Sequence, residues 1–235
     1  MINVPFVNVA DPTAGLQLNS DIDIANVTAD ADDSANADQI WVWIPADNAY
    51  SKFFRYAGDG VEYDPGWCDL NDPDWNYIED RPGFENGLPL GSAIFYKAKS
   101  GSGKAITGSG AVESQDEVEL PLASSNYTMV GNPYPAALQL NGAKFTVDNV
   151  TADADDSANA DQIWVWIPTD NAYSKFFRYA GDGVEYDPGW CDLNDPDWNY
   201  IEDRPGFEEG IEAGTAMYYK AKVGSGKAAV FTSPL

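Results

Sequence analysis

The side chains best placed to do chemistry in this sequence are carboxylates, and they come in two clusters. The first is Asp30, Asp32, Asp33, Asn36 and Asp38, inside the stretch NVTADADDSANADQIWVWIP that begins at Asn26. The same twenty letters begin again at Asn149 and supply Asp153, Asp155, Asp156, Asn159 and Asp161. The second cluster is DPDWNYIED. Here Asp72, Asp74, Asn76, the Ile78 carbonyl and Asp80 fall at positions 1, 3, 5, 7 and 9, the ligand order of an EF-hand-type loop. Its copy offers Asp195, Asp197, Asn199, Ile201 and Asp203. A hard cation needs closely spaced oxygens, so Ca²⁺ is the expected cofactor. The pattern is incomplete: Tyr77 stands where glycine belongs, no glutamate closes position 12, and Pro73 and Pro82 oppose flanking helices. The competing reading is a set of Asx turns, in which each carboxylate bonds local N–H groups and faces water.

Other chemistries are harder to build. The chain has no histidine, which removes Ser-His-Asp and Cys-His pairs and imidazole metal ligands. The glycine–lysine runs at 101–104 and 224–227 lack the spacing, the following Ser or Thr and the helix of a phosphate loop. Carboxylate pairs serve glycoside hydrolysis only at a defined separation, which abundance does not supply. The expectation is therefore no enzyme. Cys68 and Cys191 occupy the same place in the two copies, so an internal disulfide would have to bring equivalent sites within about 7 Å. A free thiol or an intermolecular disulfide fits that symmetry better. Trp41, Trp43, Trp67 and Trp75, with Trp164, Trp166, Trp190 and Trp198, are the candidate ligand-binding platform for a surface glycan.

The elements that must position these groups are strands. Residues 26–87 and 149–210 align without a gap over 62 positions and differ only at Ala46/Thr169 and Asn86/Glu209. Strand patterns fall at 39–45, 51–56, 92–99, 117–122, 126–131 and 143–150, and again at 162–168, 174–179 and 215–222. Turn clusters such as AGDG, YDPGW, NDPDW and DRPG separate them. Within IWVWIP, Ile40, Val42 and Ile44 share one face and Trp41 and Trp43 the other. β-Branched residues pack inward, which leaves the tryptophans to semi-buried packing, a module contact or a platform. The fold expected is all-β: two tandem, near-identical antiparallel β-sandwich or barrel-like modules, at 1–111 and 112–235. The strand around 112–122 occurs once, between the copies. If it belongs to the second module, the first lacks an edge strand.

Composition bounds the partners. With 38 acids against 13 bases the chain carries a formal charge of −25, which opposes binding to nucleic acid and to anionic lipid. No stretch reaches the roughly 18 apolar residues of a membrane span, so no membrane insertion is expected. The opening MINVPFVNVADPTAG shows neither the basic start nor the apolar run of a signal peptide.

The segment NYTMVGNPYPAALQLN at 126–141 resembles a signature of bacterial extracellular tandem-repeat proteins, in which a GNPYP-type turn precedes a D-Q-I-x-V-W-like strand. A Y-x-G-D-G…G-W segment and a G-x-A-x-(W/Y)-Y strand follow. The matching stretches are Asp38–Trp43, Tyr56–Trp67 and Gly91–Tyr96, then Asp161–Trp166, Tyr179–Trp190 and Gly214–Tyr219. The first copy departs from the pattern, with VADPTAGLQLN in place of GNPYPAALQLN. The resemblance implies a surface or secreted protein and brings no catalytic residues. The expected role is a calcium-stabilised extracellular building block of a fibre, surface layer or stalk. Its partner is itself, in a head-to-tail homo-oligomer or filament, with the tail AAVFTSPL as a β-compatible connector. The alternative is a carbohydrate-binding or adhesive module using exposed tryptophans.

Overall fold

The structure, a computed structural model, describes residues 2–3, 6–7, 15–44, 49–61, 63–88, 90–101, 103–108, 111–124, 127–167, 169–184 and 186–234. Among them the protein is all-β and antiparallel, with nothing more helical than single 3₁₀ turns. The strands are β1 (Ile2–Asn3), β2 (Phe6–Val7), β3 (Ile22–Ile24), β4 (Gln39–Ile44), β5 (Ala49–Tyr56), β6 (Gly66–Asp69), β7 (Ala93–Lys97) and β8 (Ile106–Gly108). They continue as β9 (Ala111–Val112), β10 (Glu117–Pro121), β11 (Tyr127–Gly131), β12 (Phe145–Asp148), β13 (Gln162–Ile167), β14 (Ala172–Tyr179), β15 (Gly189–Asp192), β16 (Ala216–Lys220) and β17 (Ala228–Thr232).

Each half holds a five-stranded sheet, in the order β1-β7-β4-β5-β6 in the first and β11-β16-β13-β14-β15 in the second. The registers repeat: Gln39 faces Phe54 and Ile44 faces Ala49, as Gln162 faces Phe177 and Ile167 faces Ala172. The smaller sheets differ. In the second half β17 lies between β10 and β12, whereas in the first β8 pairs, among the described residues, with β3 alone. A short β2–β9 ladder completes the pairings.

The alternation in QIWVWI resolves as the side-chain period of two requires. Ile40 and Val42 enter the main core fully buried, and Trp41 and Trp43 stand half-buried on the opposite face. The core beneath the first sheet gathers Leu16, Leu18, Ile40, Val42, Phe53, Trp67, Leu88 and Ile94. Its counterpart in the second half is larger: Val118 of β10, Leu122 just after it, and Ala229 and Phe231 of β17 are among the residues that join it.

Two expectations fail. Gly66 and Trp67, read as the end of a YDPGW turn, open the strand β6, Gly66–Asp69. Its four residues are all buried because the DPDW loop closes over the second face, so no alternation marks it. The tail, read as a free connector, is β17, the central strand of its sheet, with Val118 facing Phe231 on one side and Phe145 facing Phe231 on the other. A strand hydrogen-bonded along both edges has no main-chain groups left to offer another chain. Residues 9–14, which carry most of the divergent VADPTAG stretch, lie outside the described residues.

Candidate functional site

The most constrained polar group in each copy is one aspartate. Asp38 follows the 3₁₀ turn Ser34–Asn36 and sits at zero exposure beside β4. Its carboxylate accepts from Lys104 Nζ at 2.5 Å, Tyr96 Oη at 2.5 Å, Thr28 N at 2.7 Å and Lys99 N at 2.6 Å. Burial alone would raise its pKa. The Lys104 ammonium and the Thr28, Tyr96 and Lys99 donors outweigh that and hold the carboxyl below the usual range. Lys104 in turn donates to the Asn26 carbonyl and to Thr28 Oγ1, so its three N–H bonds are all used. Asp161 repeats the set with Lys227, Tyr219, Thr151 and Lys222. The cluster ties the start of β4 to the end of β7 and to the approach of β8. It is built as a staple, because all three N–H bonds of the Lys104 ammonium go to fixed acceptors on separate parts of the chain.

Asp38 and Asp161 are thereby taken out of the first acidic cluster as metal ligands. The rest of that cluster is organised by the main chain. Asp30 Oδ1 accepts from Asp32 N and Asp33 N, and Asp33 caps the 3₁₀ turn by accepting from Ala35 N and Asn36 Nδ2. The Asp32 and Asp33 amides lower the Asp30 pKa accordingly. Asp153, Asp155, Asp156, Ala158 and Asn159 reproduce these bonds. In DPDWNYIED, Asp72 accepts from Asp74 N and Asn76 Nδ2, and Asp195 does the same from Asp197 and Asn199. The Ile78 carbonyl accepts from Arg81 N at 3.1 Å, as Ile201 does from Arg204 N, while Asp80 and Asp203 end the 3₁₀ turns. These are Asx turns. Among the described residues no three His, Cys, Asp or Glu side chains converge in a group able to hold a metal.

The tryptophans fall into distinct settings. Trp67 and Trp190 are core residues, 2% and 3% exposed. Trp75 and Trp198 adopt left-handed backbone, φ 51° in both, a conformation that costs a bulky L-residue about 1–2 kcal/mol. The cost is offset where each ring packs edge-on to Phe54 or Phe177, over the buried cysteine. Trp41 and Trp164 lie under the ammonium groups of Lys52 and Lys175, at 4.4 and 4.2 Å. Cys68 and Cys191 are free, each 1% exposed, and burial raises both thiols to about 12. An intermolecular disulfide at either would first require the DPDW loop to unpack.

Trp43 belongs to the face that joins the halves. Ala93, Met129 and Ala216 form the buried centre of that contact, with Trp43, Tyr50, Phe95 and Tyr218 around it. Tyr50 Oη and Tyr218 Oη are 2.5 Å apart, and Gly131 N donates to Gly91 O at 3.0 Å. Equivalent elements meet here: β7 touches β16, and β1 touches β11. The side chains that meet are not all matching copies: Trp43 and Tyr50 take part, whereas Trp166 and Tyr173 do not belong to the cluster. Beside it opens a mostly apolar cleft of about 350 Å³, lined by Trp43, Phe84, Leu90, Leu120 and Met129 among others. Trp43 Nε1 is buried at its edge without a hydrogen-bond partner among the described residues. Sequence reasoning missed the Lys104 and Lys227 staples, although the same lysine recurs after the same glycines in both copies. Comparison with protein-family models, curated proteins and solved structures returned no match for this chain.

Proposed function

We propose that the chain is a non-enzymatic structural protein made of two tandem, near-identical β modules, split near residue 111, that serves as a building block of an extracellular assembly. The observation that carries this reading is where the repeated polar residues are spent. Asp38, Lys104 and their copies staple strands, the acidic loops cap turns, and the aromatic faces meet each other. The face between the halves is occupied within the chain, so chain-to-chain growth uses a different surface, strand addition at a sheet edge. The dense acidic exterior keeps such a unit soluble. Sedimentation velocity and electron microscopy at rising protein concentration test the reading. Elongated assemblies are expected, and compact, dispersed particles at every concentration would overturn it.

A second reading rests on the unpartnered Trp43 indole N–H beside the apolar cleft: binding of a ligand with an apolar face and one acceptor oxygen, such as a glycan. A glycan array with Trp43→Phe as control distinguishes it.

A further inference from the structure

We propose that the outer edge of β8 is an acceptor site for one extended peptide segment with the chemistry of β10: carboxylate and branched apolar residues in alternation, ending in proline. The occupant proposed is another polypeptide; the β10 of this chain is engaged with β17. The inference deepens the structural reading by naming a partner chemistry. It rests on the sheet geometry rather than on any fibre.

The repeat itself supplies the template. Ile106 stands where Ala229 stands in the second copy: Ile24 faces Ile106 as Val147 faces Ala229. On its other side Ala229 faces Leu120 of β10, and nothing among the described residues pairs with Ile106 there. Backbone direction agrees. Lys227 O accepts from Leu122 N, and Ser233 N donates to Asp116 O, so alternate residues 227, 229, 231 and 233 address β10. The intervening residue Thr232 turns the other way, its N–H donating to Lys144 O. In the first copy Ala105 O accepts from Ala25 N, on the β3 side. The same alternation therefore aims the Ile106 and Gly108 main-chain groups and the Lys104 carbonyl at the edge that no described strand pairs with.

Burial differs between the paired and the unpaired edge among the described residues. Lys227 is 2% exposed, Tyr219 1% and Ala229 1% beneath the β10-covered sheet. Their counterparts Lys104, Tyr96 and Ile106 are all only partly buried. Local sequence around the lysine is shared, so the difference lies in the cover. In β10 and its flank, Val118 and Leu122 enter the core while Glu117 and Glu119 stay exposed. That pattern is what the β8 edge selects: apolar side chains at alternate positions toward the core, carboxylates toward water.

The test titrates the intact chain into a fluorescein-labelled synthetic peptide of sequence QDEVELPLA, corresponding to 115–123, and reads anisotropy. Saturable one-to-one binding is expected, and it strengthens with salt because peptide and protein are both acidic. N-methylation of the peptide at the position of Leu120, whose N–H addresses the acceptor, should weaken binding at least tenfold. N-methylation at the position of Glu119, whose N–H points away, should leave it within twofold. Ile106→Pro in the chain should abolish binding. No binding at millimolar peptide, equal binding of the two N-methyl peptides, or full binding to a folded Ile106→Pro chain overturns the proposal. If Ile106→Pro fails to fold, the peptide pair alone decides. Assembly in the centrifuge without peptide binding would sink this site and spare the structural role; binding without assembly would do the reverse.

Discussion

Replacing Lys227 by methionine removes the only cation paired with Asp161 among the described residues and leaves a carboxylate at zero exposure with three neutral donors, the Tyr219 hydroxyl and the Thr151 and Lys222 main-chain N–H groups. Breaking a buried pair by deleting one partner costs about 3–5 kcal/mol, because the remaining charge is uncompensated. The same substitution at Lys104 removes the same contact, but that side chain is 9% exposed and water can reach the vacated position. The loss there should be nearer that of a charged hydrogen bond, about 1.5–3 kcal/mol. For a chain of this size each 1 kcal/mol moves the melting temperature by about 2–4 °C. Urea unfolding followed by tryptophan fluorescence measures both variants. The double variant Lys227→Met with Asp161→Asn should recover part of the loss, since no buried charge remains. Equal losses at the two lysines, a loss below about 1 kcal/mol at Lys227, or a double variant as costly as the sum of its parts would refute the staple as described.

Tyr50→Phe removes the hydroxyl that meets Tyr218 across the halves and should cost about 1 kcal/mol; calorimetry should show the two halves melting further apart, and an unchanged trace counts against the contact. The Asx turns satisfy the acidic loops internally, so chelator and millimolar Ca²⁺ should leave the melting temperature unmoved; a rise with Ca²⁺ that Asp72→Ala with Asp195→Ala removes would restore the calcium reading. The pH dependence has two flanks. Asp38 is depressed in the folded protein, so its contribution is present above about pH 4 and lost as pH falls through the lower folded value. Tyr96 and Tyr219 are raised, by burial first and the adjacent carboxylate second, so theirs is present below about pH 10 and lost above it. Urea midpoints at pH 3, 7 and 10.5 should form a plateau with both shoulders falling; a flat profile contradicts the buried cluster.

The parts of the fold legible in the sequence were those with one buried face. Ile40, Val42, Trp41 and Trp43 announce their faces by alternation, and the strands around them lie within a residue or two of where the pattern puts them. Gly66–Asp69 was illegible because both its faces are covered and its flanks are turn formers. The tail 228–232 reads as a strand, but nothing local says that it is central, since that follows from pairing with residues far up the chain. Asp38 misled for a related reason. Its sequence neighbours Asp30–Asn36 suggest a ligand loop, whereas its true partner Lys104 is distant in the chain and close only after the sheet forms.

Near-identity of the two copies also burdens folding. The β4–β5 hairpin is local and cannot be mistaken, but β4 must then choose between β7 (AIFYK) and β16 (AMYYK), which offer almost the same side chains. The longer closure from Val42 to Met217 instead of Ile94 costs only about 1 kcal/mol more in chain entropy. A refolding chain released all at once should therefore populate strand-exchanged species in which one copy borrows from the other. During synthesis the first sheet can close before β16 has been made, so the order of emergence separates the copies where their sequences do not. The same degeneracy between chains would make concentrated refolding a route to domain-swapped oligomers.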